Sequence, residues 1–320
     1  MPLGAALAQT LMVGVTSPSA RQLRALLGGR APAGGLFLHG DAARILTDGR
    51  LRAVDRAVVR PLVAADDEGG RVQRIEFAYA LPSARQQART MSAAEVRVAA
   101  EKRGRALARY GITMDLAPTV DVSTQPDGAV IGDRSFGADP RRVTAYARAF
   151  AAGLRAAGVL PALKHFPGHG RARGDSHLGA ARTPDVRSLR AVDWRPYRAL
   201  AGSGAAVMMG HLTVPGLSTR GLPASLDPAV YRALHDEIGF RGLVLTDELA
   251  GMRAIRDRFG TRQAVRRAIA AGADLGLVII APERVRPLLR ALAADVRTGR
   301  LPEARVRAAA DQVLAAKGCP

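Results

Sequence analysis

The segment at positions 163–177, LKHFPGHGRARGDSH, concentrates side chains that can move protons or hold ligands. It contains one lysine, three histidines and one aspartate. Asp175 and His177 are two residues apart in a glycine-flanked loop, so the carboxylate can hold one ring nitrogen and raise the basicity of the other. We therefore predict that Asp175 and His177 act as a pair whose imidazole donates and recovers a proton near neutral pH.

The histidines of this segment also allow a second interpretation. His165 and His169 are four residues apart, which is the spacing of two metal ligands on one face of a helix. Pro167 and Gly168 lie between them and disfavour a helix, so the spacing argument loses its force. A site in which His and Asp hold a metal stays open as an alternative, as do histidines with purely structural roles.

Carboxylates and arginines occur in three other segments. Asp247 directly follows an apolar run in LVLTDELAGM, where it could be a nucleophile or only a helix N-cap, and no role is assigned to Glu248. The segment at 64–74, AADDEGGRVQR, could be functional or simply a turn closed by salt bridges. It lacks the glycine and lysine pattern of a phosphate-binding loop. Arg134 lies in a further loop, GAVIGDRSFGADP.

These segments follow apolar runs that alternate with helical patterns along the whole chain. The candidate strands are positions 11–15, 35–38, 61–65, 113–117, 159–163, 206–210, 243–246 and 276–280, and helical patterns cover 94–110, 141–157, 228–238 and 264–271. Strands that alternate with helices predict right-handed βαβ units in a parallel sheet. Eight such units favour an α/β fold, a closed (β/α)8 TIM-type barrel, and we predict one catalytic domain over residues 1–320.

Active sites of such barrels lie at the C-terminal ends of the strands. Polar residues follow five of the candidate strands: Asp66 the third, Asp121 the fourth, Lys164 and His165 the fifth, His211 the sixth and Asp247 the seventh. A barrel that needed only a packed core would not require them there. We therefore expect these side chains to converge on one site.

The composition restricts the classes of partner. The 320 residues carry a formal net charge of +19, with 47 Lys and Arg residues against 28 Asp and Glu. All but three of the cationic residues are arginines at helical spacing, and aromatic residues are only 4% of the chain, so we expect solvated helix faces and no nucleic-acid partner. A field that attracts an anionic ligand is the alternative interpretation.

Other features concern the membrane, the compartment and cofactors. No run approaches the ~18 apolar residues of a membrane span. The first residues, MPLGAALAQTLMVGV, lack a basic segment and a clean cleavage site, which predicts a cytoplasmic location. Cys319 is the only cysteine, which excludes an intrachain disulfide and a thiolate metal cluster. We expect no cofactor and favour a monomer.

A set of motifs resembles one enzyme family. DDEGGRVQR, DLAPTVDV, IGDRSFGADP, KHFPGHG followed by GDSH, PASLDP and VLTDEL occur in this order and are similar to the β-N-acetylglucosaminidases of glycoside hydrolase family three. The likeness runs from about Gln9 to the last helices. KHFPGHG with a following D-S-H is specific to the branch with a histidine acid/base, whereas related β-glucosidases take a carboxylate from another domain.

The resemblance implies a role for each matching residue. Asp247 stands at the catalytic nucleophile, His177 at the general acid/base and Asp175 at its partner. The positions implied to bind the hydroxyls of a terminal N-acetylglucosamine are Asp66, Arg74, Arg134, Lys164 and His165. No metal site and no cofactor are implied.

The chain departs from the family pattern at two positions. Asp67 stands where the family often has Gln or His, which we expect to add a negative charge beside Asp66. The segment from Asp247 to Met252 is one residue longer than the usual D-D-L-x-M, which could shift the floor of the site. Both departures concern substrate preference more than the reaction.

The resulting functional hypothesis is a retaining β-N-acetylglucosaminidase. It would remove terminal non-reducing N-acetylglucosamine, from peptidoglycan fragments or other glycosides, through a covalent intermediate on Asp247. A phosphorylase with the same residues is the first alternative. A metal-dependent hydrolase and a non-enzymatic carbohydrate-binding barrel are the more distant ones.

Overall fold

Eight buried strands form one parallel sheet that closes on itself. The computed structural model describes residues 1–29, 31–40, 44–51, 57, 59–76 and 79–319. In chain order the strands are β1 (Leu11–Val15), β2 (Gly35–Leu38), β3 (Leu62–Ala65), β4 (Met114–Asp115), β5 (Leu160–Phe166), β6 (Ala206–Met209), β7 (Val244–Thr246) and β8 (Gly276–Val278). Each strand pairs with the next, and β1 pairs with β8. A parallel bridge between Leu245 and Leu275 closes the ring, so the predicted barrel is confirmed.

Helices follow the strands and pack outside the barrel. They are α1 (Leu3–Gln9), α2 (Ala20–Leu27), α3 (Arg44–Thr47), α4 (Ala84–Thr90), α5 (Ala93–Arg109), α6 (Pro140–Ala156), α7 (Val186–Ala191), α8 (Trp194–Leu200), α9 (Pro228–Asp236), α10 (Arg253–Arg256), α11 (Thr261–Ala271), α12 (Val285–Arg297) and α13 (Glu303–Ala316). Local sequence sets their starts: Ser92 and Glu95 form a capping box before α5, and Asp139 caps α6, whose first residue is Pro140.

Within the described part of the chain, no helix is long and apolar enough to cross a membrane.

The strands alternate between two apolar cores. Side chains such as Met12, Met114 and Met208 pack together inside the barrel. Their strand neighbours, such as Val13 and Val207, pack in the larger core between the barrel and the helices. Because both faces of every strand are buried, the strands read in sequence as short continuous apolar runs.

The predicted elements differ from the observed ones mainly at their ends. β1 and β2 have the predicted bounds, and the four predicted helices occur as α5, α6, α9 and α11 with small shifts. β4 is shorter than expected, whereas β5 extends to Phe166. Lys164 and His165 therefore belong to the end of β5 and do not follow it. The backbone of this extension pairs with the segment after β4, because the Val120 N–H donates to the Lys164 carbonyl at 2.8 Å.

A buried ion pair anchors the loop that follows β3. Asp67 and Arg103, which lies on α5, both have fully buried side chains in contact with each other. The Arg103 guanidinium also donates to the carbonyls of Ile75 and Tyr79, both at 2.7 Å, and the Ile75 N–H donates to Asp67 at 3.1 Å. The extra charge expected beside Asp66 is therefore compensated by Arg103 of α5, behind the loop. This corrects the role predicted for Asp67.

We expect Arg103→Ala to lower the free energy of unfolding by about 3–5 kcal/mol, because it leaves the Asp67 carboxylate buried without its partner. The measurement is urea unfolding followed by circular dichroism. Arg105→Ala is the matched control on the same helix, since its exposed pair with Glu101 contributes only ~0.5 kcal/mol. Equal losses in the two variants would show that the buried pair does not anchor the loop.

Candidate active site

A cavity of about 380 Å³ opens at the C-terminal ends of the strands, directly above the core inside the barrel. Its apolar lining includes Phe37, Leu116 and Met208. Its polar lining includes seven of the eight predicted site residues: Asp66, Arg74, Arg134, Lys164, His165, His177 and Asp247. The eighth, Asp175, contacts the cavity-lining His177. Of the strand-end residues expected to converge, Asp66, Lys164, His165 and Asp247 line this cavity, whereas Asp121 and His211 lie behind it.

Asp247 lies immediately after β7 and is held by the backbone on both sides. Its own N–H donates to the Met209 carbonyl at 2.9 Å, and its Oδ1 accepts the N–H of Glu248 at 2.8 Å. The next helix begins only at Arg253, so Asp247 is not a helix N-cap. Burial raises the pKa of Asp247, but nearby His211 and His165 and the Glu248 N–H outweigh it, so the pKa lies below its ordinary value. The side chain is therefore an anion at neutral pH.

Asp175 and His177 form the predicted pair. Nδ1 of His177 lies 2.9 Å from Oδ1 of Asp175, and the His177 N–H donates to the same oxygen at 2.9 Å. Burial opposes ionisation of Asp175, but these contacts lower the pKa of its carboxyl below the ordinary value. With Nδ1 occupied, Nε2 of His177 is the ring nitrogen available to a ligand.

The loop that carries this pair is tied to the element after β7. The Arg253 N–H donates to the carbonyl of His177 at 3.3 Å, and the Ala254 N–H donates to that of Ser176 at 3.1 Å. Gly174 has a φ of +88°, a conformation that favours glycine, and a Cβ there would lie 2.7 Å from the Ala180 carbonyl oxygen. The loop therefore turns back over the cavity with His177 at its tip.

Charges of both signs form one wall of the cavity, which we call the cation wall: Lys164 and Arg134 with their partners Asp66 and Glu68. Nζ of Lys164 lies 2.6 Å from carboxylate oxygens of both Asp66 and Glu68. Arg134 donates to both oxygens of Glu68, at 2.8 and 2.7 Å. Burial opposes the charge of Lys164, but the two carboxylates raise its pKa, and the two cations hold the pKa of Glu68 well below its ordinary value.

Asp121 contacts both His165, at the end of β5, and His169, in the loop that follows. Its Oδ2 lies 2.8 Å from Nδ1 of His165, and its Oδ1 accepts the backbone N–H of His169 at 2.6 Å. Nε2 of His165 is left facing the cavity, 3.3 Å from the Arg134 guanidinium. Among the described residues, no group of three or more His, Cys, Asp or Glu side chains is arranged to hold a metal ion. The arrangement of these histidines therefore does not favour the metal-dependent alternative.

Glu248, which had no assigned role, organises the longer segment after β7. Its carboxylate accepts the N–H groups of Ala250, Gly251 and Met252 at 2.8, 2.5 and 3.2 Å, and that of Ile279 at 2.8 Å. The extra residue is therefore accommodated by a turn wrapped around a carboxylate and joined to the end of β8.

His211 is buried beneath this turn. Its Nδ1 lies 2.7 Å from the Ser225 hydroxyl and its Nε2 lies 2.7 Å from the Glu248 carbonyl. Burial lowers the pKa of His211, so it is a neutral support and not part of the cavity lining.

Sequence reasoning missed several residues of the site. Glu68 was passed over because its partner Arg134 is 66 positions away in the chain, although a third consecutive carboxylate after β3 was an available signal. Arg74 lines the cavity as predicted, with an exposed side chain.

Comparison with known proteins identifies the family. Residues 32–316 match the glycosyl hydrolase family 3 N-terminal domain. The chain is 45% identical to the β-hexosaminidase LpqI of Mycobacterium tuberculosis, over 98% of this chain and 82% of that protein. It is 36% identical to a β-hexosaminidase of Pseudomonas aeruginosa, over 77% of this chain and 74% of that protein.

Solved structures agree with this assignment. A glycosyl hydrolase of the family from Mycobacterium smegmatis superposes with a TM-score of 0.95 at 45% identity, covering 99% of this chain and 98% of that one. A family 3 β-N-acetylglucosaminidase from Paenibacillus superposes with a TM-score of 0.90 at 31% identity, covering 99% and 62%. The chain belongs to glycosyl hydrolase family 3, and it is a glycoside hydrolase of that family's β-hexosaminidase group. The resemblance of the motifs is thereby confirmed.

We expect Glu68→Gln to lower kcat/KM for an aryl N-acetyl-β-glucosaminide by about tenfold to a hundredfold, mainly through KM, or ~1.4–2.8 kcal/mol of lost binding. The amide removes the charge between Arg134 and Lys164 and offers them a donor in place of an acceptor. Steady-state kinetics measure the effect. Asp133→Asn is the control, since Asp133 pairs with the half-exposed Arg71, and it should change kcat/KM by no more than about twofold. An unchanged KM in Glu68→Gln would contradict the role of the cation wall.

Proposed function

We propose that the protein is a retaining β-N-acetylglucosaminidase that removes a terminal non-reducing N-acetylglucosamine. The observation that carries the proposal is the placement of an ionised carboxylate, Asp247, and a carboxylate-held imidazole, His177, on one cavity of the barrel. A nucleophile at the anomeric carbon and a proton donor at the leaving oxygen are the minimum equipment for a double displacement. We propose that the catalytic unit is this one barrel, residues 1–320.

The first half of the reaction forms a covalent intermediate. Asp247 attacks the anomeric carbon while Nε2 of His177 donates a proton to the leaving oxygen, and the Asp175 carboxylate stabilises the imidazolium before transfer. The bond to the leaving oxygen breaks as the bond to the Asp247 carboxylate forms. Because the pKa of Asp247 is held below its ordinary value, the nucleophile is ionised at neutral pH.

The second half releases the sugar. Neutral His177 takes a proton from water, and the water oxygen attacks the anomeric carbon as the bond to Asp247 breaks. Two inversions at one carbon give net retention of the β configuration.

The cation wall suits the hydroxyl end of the sugar. Asp66 can accept from hydroxyl groups, and Lys164, Arg134 and Nε2 of His165 stand beside it in the same cavity. Because each member is already held by a charged or hydrogen-bonded partner, little ordering is needed on binding. These residues are therefore proposed to bind the terminal sugar, as is Arg74 at the rim.

The relatives support the substrate class. LpqI and the Pseudomonas protein are named β-hexosaminidases and the Paenibacillus enzyme a β-N-acetylglucosaminidase, which favours hydrolysis over the phosphorylase alternative. We propose peptidoglycan fragments as the natural glycosides, and the net charge of +19 would raise the encounter rate with their anionic groups. The cytoplasmic location and the monomeric state stay predictions.

The deciding experiment compares aryl N-acetyl-β-glucosaminide with aryl β-glucoside and β-xyloside. We expect the acetamido substrate to be preferred, and Asp247→Asn to lower its turnover by roughly four orders of magnitude or more, because no carboxylate remains to attack. Proton NMR of the first product should show the β anomer. Preference for the glucoside, the α anomer as first product, or phosphate-dependent release of a sugar 1-phosphate would each contradict the proposal.

We expect His177→Ala to lower kcat/KM by ~10²–10⁴-fold for a glycoside with a poor leaving group. The loss should be much smaller for an aryl glycoside with a strongly acidic leaving phenol, because that group needs no proton. His235→Ala is a control on α9, where Nδ1 of His235 lies 2.9 Å from the Phe240 carbonyl oxygen, and it should affect both substrates alike. Equal losses on the two substrates in His177→Ala would show that His177 is not the acid.

A further inference from the structure

The placement of the site residues orients the substrate along the barrel. The residues proposed to hold the sugar hydroxyls lie at the ends of β3 and β5 and in the loop after β4, whereas the nucleophile follows β7. In the closed ring of strands, β8 is four strands away from β4 in either direction. The anomeric carbon and the hydroxyl-bearing C3 and C4 are at opposite ends of a pyranose ring. A sugar with its hydroxyls near β4 and its anomeric carbon at Asp247 would therefore have its reducing end on the side of β7 and β8.

A second cavity lies on that side. The leaving-group groove, as we call it, has a volume of about 270 Å³ and is lined by residues 14–18, Gln22, His39 and residues 279–282. Ile279, just past β8, lines both this groove and the catalytic cavity. The groove therefore adjoins, at Ile279, the cavity where the scissile bond would lie.

The surfaces of the leaving-group groove match a pyranose. Ile279 is 36% exposed and, with Pro18 and Pro282, supplies an apolar wall for the C–H face of a sugar ring. Thr16 and His39 supply the polar wall, with the Thr16 hydroxyl 3.0 Å from Nε2 of His39. Among the described residues, Nδ1 of His39 has no hydrogen-bond partner, so it can meet a ligand hydroxyl.

His39 is also held in place from the catalytic side. Its ring stacks on Phe37, with centroids 5.9 Å apart, and Phe37 lines the catalytic cavity. Burial lowers the pKa of His39, so the imidazole is neutral at pH 7 and can accept or donate a hydrogen bond.

We propose that the leaving-group groove binds the saccharide residue on the reducing side of the scissile bond, with Ile279 against its apolar face and Thr16 and His39 at its hydroxyls. This proposal rests on the proposed function. It makes Thr16 and His39 specificity-determining residues that distinguish a sugar leaving group from an aryl one.

The test fills the groove without touching the catalytic cavity. Thr16 is exposed and lines only the groove, so Thr16→Trp should block it. We expect kcat/KM for N,N′-diacetylchitobiose to fall by at least ~10-fold, while that for an aryl N-acetyl-β-glucosaminide changes by less than about twofold. Thr124→Trp is the matched control, since Thr124 is an exposed threonine in the loop after β4 that lines neither cavity.

A second variant removes only the polar contact. His39→Phe keeps a ring to stack on Phe37 but loses both nitrogens, and it should lower kcat/KM for the disaccharide by about threefold to tenfold, with the aryl substrate unchanged. Melting temperatures of all variants establish that they are folded.

The outcomes separate this proposal from the proposed function. If the wild type hydrolyses both N-acetylglucosaminides and Thr16→Trp leaves their ratio unchanged, or lowers both equally, the groove proposal is overturned and the proposed function stands. If the wild type instead prefers β-glucosides, the proposed function fails, and the ratio of cellobiose to aryl glucoside in the same variants decides the groove. Absence of glycoside hydrolysis in the wild type would overturn both.

Discussion

The ammonium group of Lys164 is almost completely buried, and a charge at that depth is tolerated only when it is paired. Asp66 and Glu68 provide the pairing, each at 2.6 Å, and Arg134 in turn neutralises Glu68 from the loop after β4. The intervening Asp67 points the other way and binds a helix. Three consecutive carboxylates thus connect the end of β3 to the loop after β4, to β5 and to α5, and the wall proposed to bind the sugar exists because these charges must compensate one another.

The two groups that we propose to react, Asp247 and His177, are held in place differently, and the difference fits the proposed roles. Asp247 extends directly from β7 and is held between Met209 and Glu248, so its position at an anomeric carbon is set by the barrel. His177 lies on a loop whose backbone is tied to Arg253, and its side chain is 62% exposed. A nucleophile must be placed within a narrow distance of one carbon, whereas an acid/base must also reach the solvent that supplies the second-step water.

The sequence predicted the barrel well because its strands are short apolar runs with chemistry at their ends, and each of these signals is local. It predicted the contact between Asp175 and His177 for the same reason, since they are two positions apart. It could not assign Glu68, Glu248 or the direction of Asp67. Glu68 pairs with Arg134, which is far along the chain, and Glu248 accepts hydrogen bonds from backbone N–H groups. The side chain of Asp67 points away from those of its neighbours Asp66 and Glu68, towards Arg103. Long-range pairing of charges leaves no periodic trace, so only the folded chain shows which carboxylate faces the cavity.

The two sides of the site differ in how strongly their side chains are held, and we expect specificity for the two halves of the substrate to differ accordingly. On the side of β3 to β5, Asp66, Lys164 and Arg134, which we propose to bind the sugar, are each compensated by a buried group of opposite charge, so we expect a change of the terminal sugar to be rejected strongly. On the side of β8 the contacts are one exposed isoleucine, a threonine and a neutral imidazole, which are weaker and replaceable. We therefore expect the site to discriminate sharply for the sugar that it removes and loosely for the group from which that sugar is removed.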